Sequence, residues 1–279
     1  MHPLLQEIIK ILDIEKIEDN LYRGIHPSKK TGRLYGGQIM AQGLIAAGRT
    51  VDEDRVPHSL RGYFMRPGDA KIPVLFSVDR IRDGRSFTTR RIAAIQHGKA
   101  IFSMDVSFQI VEEGLQHQID MPKIKRPSDD KITEALKNDR FITYHMEYKE
   151  RSQEIPTAPY QHSWFRANGK IDSDDRLLHA ALLTYQSDDL LLSTSRLPHR
   201  GKFDRKDMQA ASLDHAMWFH APARADQWIL YALDAPQSSA ARGFNRGLMF
   251  AEDGTLLATT MQESLMRLHT LVNNGPANG

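Results

Sequence analysis

The sequence predicts an α+β fold built twice in one chain. Three observations carry that prediction. The order of elements in the C-terminal half repeats that of the N-terminal half at an offset of about 153–156 residues, gapped and weak in identities. Each half sets a helix-forming segment before several long runs of strand formers, which argues for segregated helix and antiparallel sheet rather than alternating βαβ units. Matching polar residues close the two halves: Ser107-Phe108-Gln109 in the first and Thr260-Met261-Gln262 in the second. A duplicated domain places its chemistry most naturally where the copies meet.

Leu4, Leu5, Ile8, Ile9 and Leu12 recur at helical spacing, so a short amphipathic helix is expected over residues 4–13. A strand is expected over residues 21–25. Gly36-Gly37 opens a second helix, with Met40, Leu44, Ala47 and Val51 on one stripe and Ala41, Gly43, Ala46 and Gly48 elsewhere. A glycine inside a helix costs ~1 kcal/mol against alanine. Two internal glycines therefore predict close approach to another surface, such as a sheet curving round the helix. From Ser59 to Ile110 the pattern turns to strands: a run at Val74 to Val78, a turn at Asp83-Gly84, and a hairpin at His97-Gly98.

Residues 111–141 break the pattern. Met121-Pro122-Lys123 through Pro127-Ser128-Asp129-Asp130 is polar and proline-punctuated, and reads as the linker between copies 1–110 and 142–279. Strands return from Phe141 to Tyr148 and from His162 to Arg166, before a turn at Asn168-Gly169. Ser173 is expected to cap the second long helix, with Asp174 and Asp175 at its positive end. Leu178, Leu182 and Tyr185 form its buried stripe, and Ser187-Asp188-Asp189 falls at or past its C-terminal end. Strands are expected over 212–219, 227–234, 241–250 and 255–267.

The 279 residues suffice for two modest domains, and 41% hydrophobic with 26% charged residues is an ordinary globular composition. With 37 basic against 35 acidic residues and no long basic run, nucleic acid is not an expected partner. Cysteine is absent, which excludes disulfides, cysteine-ligated zinc and a cysteine nucleophile. The N-terminus lacks the pattern of a signal peptide, and the tail Asn273-Asn274-Gly275-Pro276-Ala277-Asn278-Gly279 lacks the Ser-Lys-Leu address. No apolar run approaches the ~20 residues of a membrane helix, so the expected setting is cytoplasmic. No Gly-x-Ser-x-Gly elbow and no Gly-x-Gly-x-x-Gly run occurs. Gly32 to Ile39 echoes a phosphate loop, but Gln38 and Ile39 stand where lysine and a hydroxyl are required. His215 and His220, five apart on one expected strand, face opposite ways and share no metal. Neither a cofactor nor a metal is expected.

Three polar residues stand where chemistry is plausible. Asp188 sits at a helix C-terminus, whose negative dipole end raises a carboxylate's pKa. Ser212 starts an otherwise apolar strand. Gln262 shares a face with Leu256, Ala258 and Thr260, where an amide is costly unless hydrogen-bonded. Each also has a plain reading: a capping or surface aspartate, a strand-edge serine, a strand-end glutamine in water. His58, just before a strand, is a second candidate base with a structural alternative.

Several segments together resemble the acyl-CoA thioesterase II family. They are Gly36-Gly37-Gln38, Tyr63-Phe64-Met65-Arg66-Pro67-Gly68-Asp69, Arg82-Asp83-Gly84-Arg85-Ser86-Phe87, Arg90-Arg91-Ile92-Ala93-Ala94-Ile95-Gln96, Ser187-Asp188, Leu213-Asp214-His215-Ala216-Met217-Trp218-Phe219-His220, Ala241-Arg242-Gly243-Phe244 and Gln262-Glu263. The resemblance runs from about Leu4 to His269, and the order of the pieces is its most specific feature. It implies a double hotdog: two tandem copies of a long helix wrapped by an antiparallel sheet. It also implies hydrolysis of fatty acyl-CoA to free acid and CoA, and assembly as a homodimer or homotetramer. The family's Asp, Thr or Ser, and Gln fall on Asp188, Ser212 and Gln262. Asp189 makes the aspartate ambiguous, and Tyr185-Gln186-Ser187-Asp188 favours the first of the pair. Position 212 carries Ser where some members carry Thr.

The expected mechanism has Asp188 take a proton from water that Ser212 and Gln262 position. Backbone N–H groups at a helix N-terminus, at Gly36 and Gly37, would face the oxyanion. The CoA nucleotide is expected to meet Arg or Lys at the pocket rim, with no particular residue selected. The rival readings are a hotdog hydratase or dehydratase, which changes a double bond without releasing thiol, and a non-catalytic acyl-CoA sensor.

Overall fold

The computed structural model describes residues 2–26, 32–146 and 155–269. Residues 273–279 and the end of the strand expected over 141–148 lie outside them. Helix α1 (Pro3–Leu12) buries Leu5, Ile8, Ile11 and Leu12, and His2 caps it by accepting the Leu4 N–H. A hairpin of β1 (Glu15–Glu18) and β2 (Leu21–Gly24) leads to α2 (Gly36–Gly48). Then come β3 (Arg55–Phe64), β4 (Val74–Asp83), β5 (Phe87–Gln96) and β6 (Lys99–Ile110). The second half holds the short α3 (Glu134–Lys137), β7 (Phe141–His145), β8 (Tyr160–Ala167), α4 (Arg176–Ser187) and α5 (Leu191–Arg196). It ends with β9 (Met208–Ser212), β10 (Asp214–Phe219), β11 (Ile229–Ser239), β12 (Arg242–Ala251) and β13 (Leu256–Leu268).

Among the described residues these strands form one 13-stranded sheet whose halves join where β3 pairs antiparallel with β10, Arg61 facing Ala216. Read outward from that junction, one half runs β3-β6-β5-β4-β2-β1 and the other β10-β13-β12-β11-β8-β7. The two orders match position for position, and β9 adds to the edge of β13. Each half curls round its own long helix, which is the double hotdog.

Helix α2 is not one-sided as its sequence stripe predicts: every residue from Gly37 to Ala47 is buried. A helix enclosed all round needs apolar or small residues all round. The internal glycines serve two surfaces. A Cβ on Gly43 would stand 3.0 Å from the Met104 side chain on β6, and one on Gly48 would collide with Leu177 of α4. Gly37 meets the other end of α4 at Tyr185, so α2 and α4 lie antiparallel against each other inside the sheet.

Three further expectations differ from the structure. Asp175, not Ser173, caps α4: its carboxylate accepts the Leu177 and Leu178 N–H groups, and Ser173 Oγ accepts the Asp175 N–H. The strand expected over 212–219 is two, broken at Leu213, so Ser212 ends β9 rather than starting a strand. A register shift between β12 and β13 puts Leu256 with the Trp164, Trp228 and Phe250 cluster, on the face opposite Ala258 and Thr260. Residues 111–141 contribute Met121, Ile124, Ile132 and Leu136 to that same cluster, so this segment covers the outer face of the C-terminal sheet.

Candidate active site

The C-terminus of α4 lies beside the N-terminus of α2. Asp188, the C-cap of α4, sends Oδ2 to the backbone N–H of Gly37 at 3.1 Å and Oδ1 to the Ser212 hydroxyl at 3.3 Å. The approach depends on two missing side chains. A Cβ on Gly36 would sit 2.7 Å from Asp188 Oδ2, and one on Gly37 would collide with the Tyr185 carbonyl. The Gly37 N–H, expected to face an oxyanion, is thus held by the aspartate instead. Tyr35 adds a tie between the helices by donating its hydroxyl to the Tyr185 carbonyl at 2.9 Å.

Behind Ser212 stands Gln262, which is 1% exposed. Its Nε2 donates to Ser212 Oγ at 3.0 Å and to Ser264 Oγ at 3.1 Å, while Oε1 lies 2.9 Å from His215 Nδ1. That pairing makes Nδ1 the protonated nitrogen of His215. Its Nε2 lies 2.9 Å from the Ser187 hydroxyl, which also reaches the Thr184 carbonyl at 2.8 Å. Tyr231 donates to the Ser187 carbonyl at 2.8 Å. One chain of hydrogen bonds therefore runs from Ser187 through His215, Gln262 and Ser212 to Asp188. With its amide oxygen held by His215, Gln262 can present only its N–H to Ser212, and the Ser212 proton is left for Asp188.

The electrostatics suit a base. Burial pushes the Asp188 carboxyl up to about 6, against the opposing pull of the Gly37 and Ser212 hydrogen bonds. The direction matches the sequence expectation, but the cause is desolvation rather than the helix dipole. Asp189 is also pushed up to about 6, by burial first and then by the charge of Asp188. It accepts from Gln186 Nε2 at 3.1 Å. Burial pushes His215 down to about 4, so the ring is neutral at pH 7.

Asp188 and Ser212 line a cavity of 380 Å³ with Gly36, Ile39, Phe64 and Leu213, and with Arg33 and Arg66 also on its wall. Gln262 is not on that wall; it touches the cavity through Ser212. The structure thus brings Asp188, Ser212 and Gln262 together as one hydrogen-bonded set with Gly36 and Gly37 beside it. His58 lies elsewhere, its Nε2 2.7 Å from Ser107 Oγ. His220 is bonded to Thr259 Oγ1 at 2.9 Å. From the sequence, His215 is expected only to share no metal with His220. Nothing in one sequence signals its role, because Gln262 is 47 residues away and meets it only across the β10–β13 pair.

The family described as acyl-CoA thioesterase N-terminal domain matches residues 25–109, and the one described as acyl-CoA thioesterase matches residues 136–265. Over its length the chain is similar to acyl-coenzyme A thioesterase 8 of Mus musculus, at 41% identity covering 95% of this chain and 90% of that protein. It is 34% identical to acyl-CoA thioesterase 2 of Haemophilus influenzae, covering 96% and 99%. The crystal structure of an acyl-CoA thioesterase II from Mycobacterium marinum superposes with a TM-score of 0.81 at 37% identity, covering 98% of this chain and 99% of that one. A hotdog-fold protein from Alicyclobacillus acidocaldarius, at 17% identity and a TM-score of 0.75, shares the fold over 96% of this chain and 99% of its own.

Proposed function

The chain belongs to the acyl-CoA thioesterase family and hydrolyses acyl-CoA thioesters, and from that premise we propose that Asp188 is the base and that fatty acyl-CoA is the substrate. The attacking water is held on the cavity wall against Asp188 and Ser212, which stay hydrogen-bonded to each other. Its oxygen attacks the thioester carbonyl carbon as its proton passes to Asp188. The tetrahedral intermediate then collapses, the C–S bond breaks, and the Asp188 proton is available to the departing CoA sulfur. The products are the free fatty acid and CoA.

Each neighbour has a share in this reading. Gly37 and Ser212 hold the two carboxylate oxygens, so the base is oriented before substrate arrives. Gln262 is a positioning residue that acts through Ser212. With the Gly37 N–H committed to Asp188, Gly36 is left as the helix-terminal donor for the oxyanion, and it lines the same cavity. Leu34, Ile39 and Phe64 offer apolar wall to the acyl chain, and Arg33 and Arg66 offer positive charge to the CoA phosphates.

The observation that carries the proposal is the dual anchoring of Asp188 on the wall of a cavity. Thiol release from a panel of acyl-CoAs, wild type against Asp188→Asn, tests it. General-base removal costs about 10²–10⁴-fold, so a folded variant that keeps full turnover moves the base elsewhere. Absence of thiol release by wild type would favour the sensor or hydratase reading.

The same proposal divides the chain into hotdogs over 1–110 and 142–279 with a linker between, supported by the matching strand orders. It places the protein in the cytoplasm, in keeping with a cysteine-free sequence. It also makes the protein a homodimer or homotetramer, for which the exposed Tyr63, Leu75 and Phe87 offer apolar surface. Light scattering on the purified chain tests the assembly.

A further inference from the structure

A second cavity, of 220 Å³, is built like the catalytic one. The catalytic cavity takes residues 64–68 from the end of β3, residues 211–213 from the β9–β10 break, and the first turns of α2. The second takes residues 219–223 from the end of β10, residues 56–58 of β3, and the first turns of α4. Pairing of β3 with β10 centres on Arg61 and Ala216, a step of 155 residues (61 to 216). The same step carries Val56 to Ala211 and Phe64 to Phe219, so the local twofold of the β3–β10 pair exchanges the two cavities.

The catalytic groups do not survive that exchange. Asp188 caps α4, and Arg49 caps α2, its guanidinium tied to Asp13 and the Ile14 carbonyl. The step of 155 puts Pro57 at the place of Ser212. Ser212 faces Ser264 on β13 and Pro57 faces Phe108 on β6, which puts Val106 at the place of Gln262. Carboxylate, hydroxyl and amide are all replaced. What remains is an apolar chamber of Val56, Pro57, Ala180, Leu183 and Phe219, with His58, Arg176 and His220 as its basic groups and Glu112 as its acidic one. Glu112 accepts from Gln109 Nε2 at 3.2 Å, and the His58 ring is bonded to Ser107.

We propose that this second cavity binds a fatty carboxylate without any hydrolytic chemistry, its chain among the apolar residues and its head at Arg176 and His58. Such a ligand is the released product of the reaction proposed above, and the choice of an acyl ligand rests on that reading. A repeat that keeps its chamber and loses its base retains the shape of an acyl site but not the means to cleave a thioester. Burial holds His58 and His220 below the ordinary histidine range, so the Arg176 guanidinium is the cation that an anionic head would meet, with the rings beside it as hydrogen-bonding groups.

Isothermal titration of the full chain with dodecanoate tests this, comparing wild type with Arg176→Glu and Ala180→Phe. The first variant reverses the charge of an exposed side chain; the second fills the chamber. The expected result is a dodecanoate site weakened at least tenfold in Arg176→Glu while thiol release from dodecanoyl-CoA stays within twofold of wild type. Arg176→Glu decides the matter if Ala180→Phe does not fold. No dodecanoate binding by wild type, or binding unchanged by the substitutions, overturns the proposal. Hydrolysis that persists in Asp188→Asn and disappears in His58→Ala would also overturn it, by making the second cavity catalytic. Wild type that binds dodecanoate at this cavity but releases no thiol would leave the binding site standing and remove the thioesterase mechanism.

Discussion

Gly37 donates its backbone N–H to Asp188 Oδ2 at 3.1 Å, joining residues 151 positions apart where the start of one helix lies beside the end of its antiparallel neighbour. The bond exists only because neither residue at the start of α2 carries a side chain. It aligns the positive end of α2 with a carboxylate that burial otherwise disfavours. Gly36→Ala and Gly37→Ala therefore separate two effects. At position 37 the added methyl meets a backbone carbonyl that cannot rotate away, so the helices must part. That variant is expected to lose about 1–3 kcal/mol of stability, the range for overpacking, together with activity. At position 36 the methyl meets Asp188 Oδ2 and the Phe64 ring, both side-chain groups. Its expected signature is a kcat at least tenfold lower with a smaller fall in Tm, read by thermal melts beside thiol-release kinetics.

The pH dependence of turnover follows from the same carboxylate. Asp188 must be ionised to accept a proton, and its pKa is pushed up to about 6. Turnover in wild type should rise through about pH 6 and level off above it. Ser212→Ala removes a hydrogen bond that favours the ionised form. The acid limb of kcat/KM should then move to higher pH as the plateau falls. A limb that stays in place would show that the serine orients water without tuning the base.

His215 provides a test of the hydrogen-bonded chain. It is neutral at pH 7 and touches Gln262 rather than the cavity. His215→Leu leaves Gln262 Oε1 buried without its donor, at a cost of about 1–3 kcal/mol, and frees the amide to turn its oxygen toward Ser212. The expected result is a kcat lowered ten- to hundredfold with KM within about threefold, since the cavity wall is untouched. His215→Asn, which can still donate to Gln262, should recover part of the loss. Equal falls in stability and activity in both variants would reduce His215 to a packing residue.

How much of this was legible beforehand depends on the range of the interaction. The hairpin at His97-Gly98, the opening of α2 at Gly36 and the end of α4 at Ser187 follow from turn chemistry and local periodicity, and the structure places them as expected. The cap of α4 went to Asp175 rather than Ser173 because both residues suit an N-cap and only backbone geometry chooses between them. Helix α5 escaped notice because it has six residues and starts after Leu190 at φ 70°, a conformation leucine seldom adopts. The meeting of Asp188, Ser212 and Gln262 was reached through family resemblance. The 24 residues between Asp188 and Ser212 are bridged by the cap of α4 meeting the end of β9, and the 50 between Ser212 and Gln262 by the β9–β13 pairing.

Asp189 separates the base from its neighbour. It is half-buried beside Asp188, bonded to Gln186, and absent from the cavity wall. Asp189→Asn should therefore keep thiol release near wild type, whereas Asp188→Asn should not. Stability should respond with a definite sign. The Asp189 pKa is about 6 in the folded chain against an ordinary 3.8. Between those values the folded state binds more protons than the unfolded one, so stability falls as pH rises through that window. The favourable contribution is complete below about pH 4 and gone above about pH 6. Replacing the carboxylate by an amide removes the penalty of a buried charge, so Asp189→Asn should be more stable than wild type at pH 8 by roughly 1–3 kcal/mol, at 1.36 kcal/mol per pKa unit. The advantage should shrink toward zero at pH 4. Melting curves of both proteins at pH 4, 6 and 8 decide it: a difference that grows toward acid pH would mean that Asp189 is stabilised as a charge, and that the aspartate kept at a raised pKa is Asp188 alone.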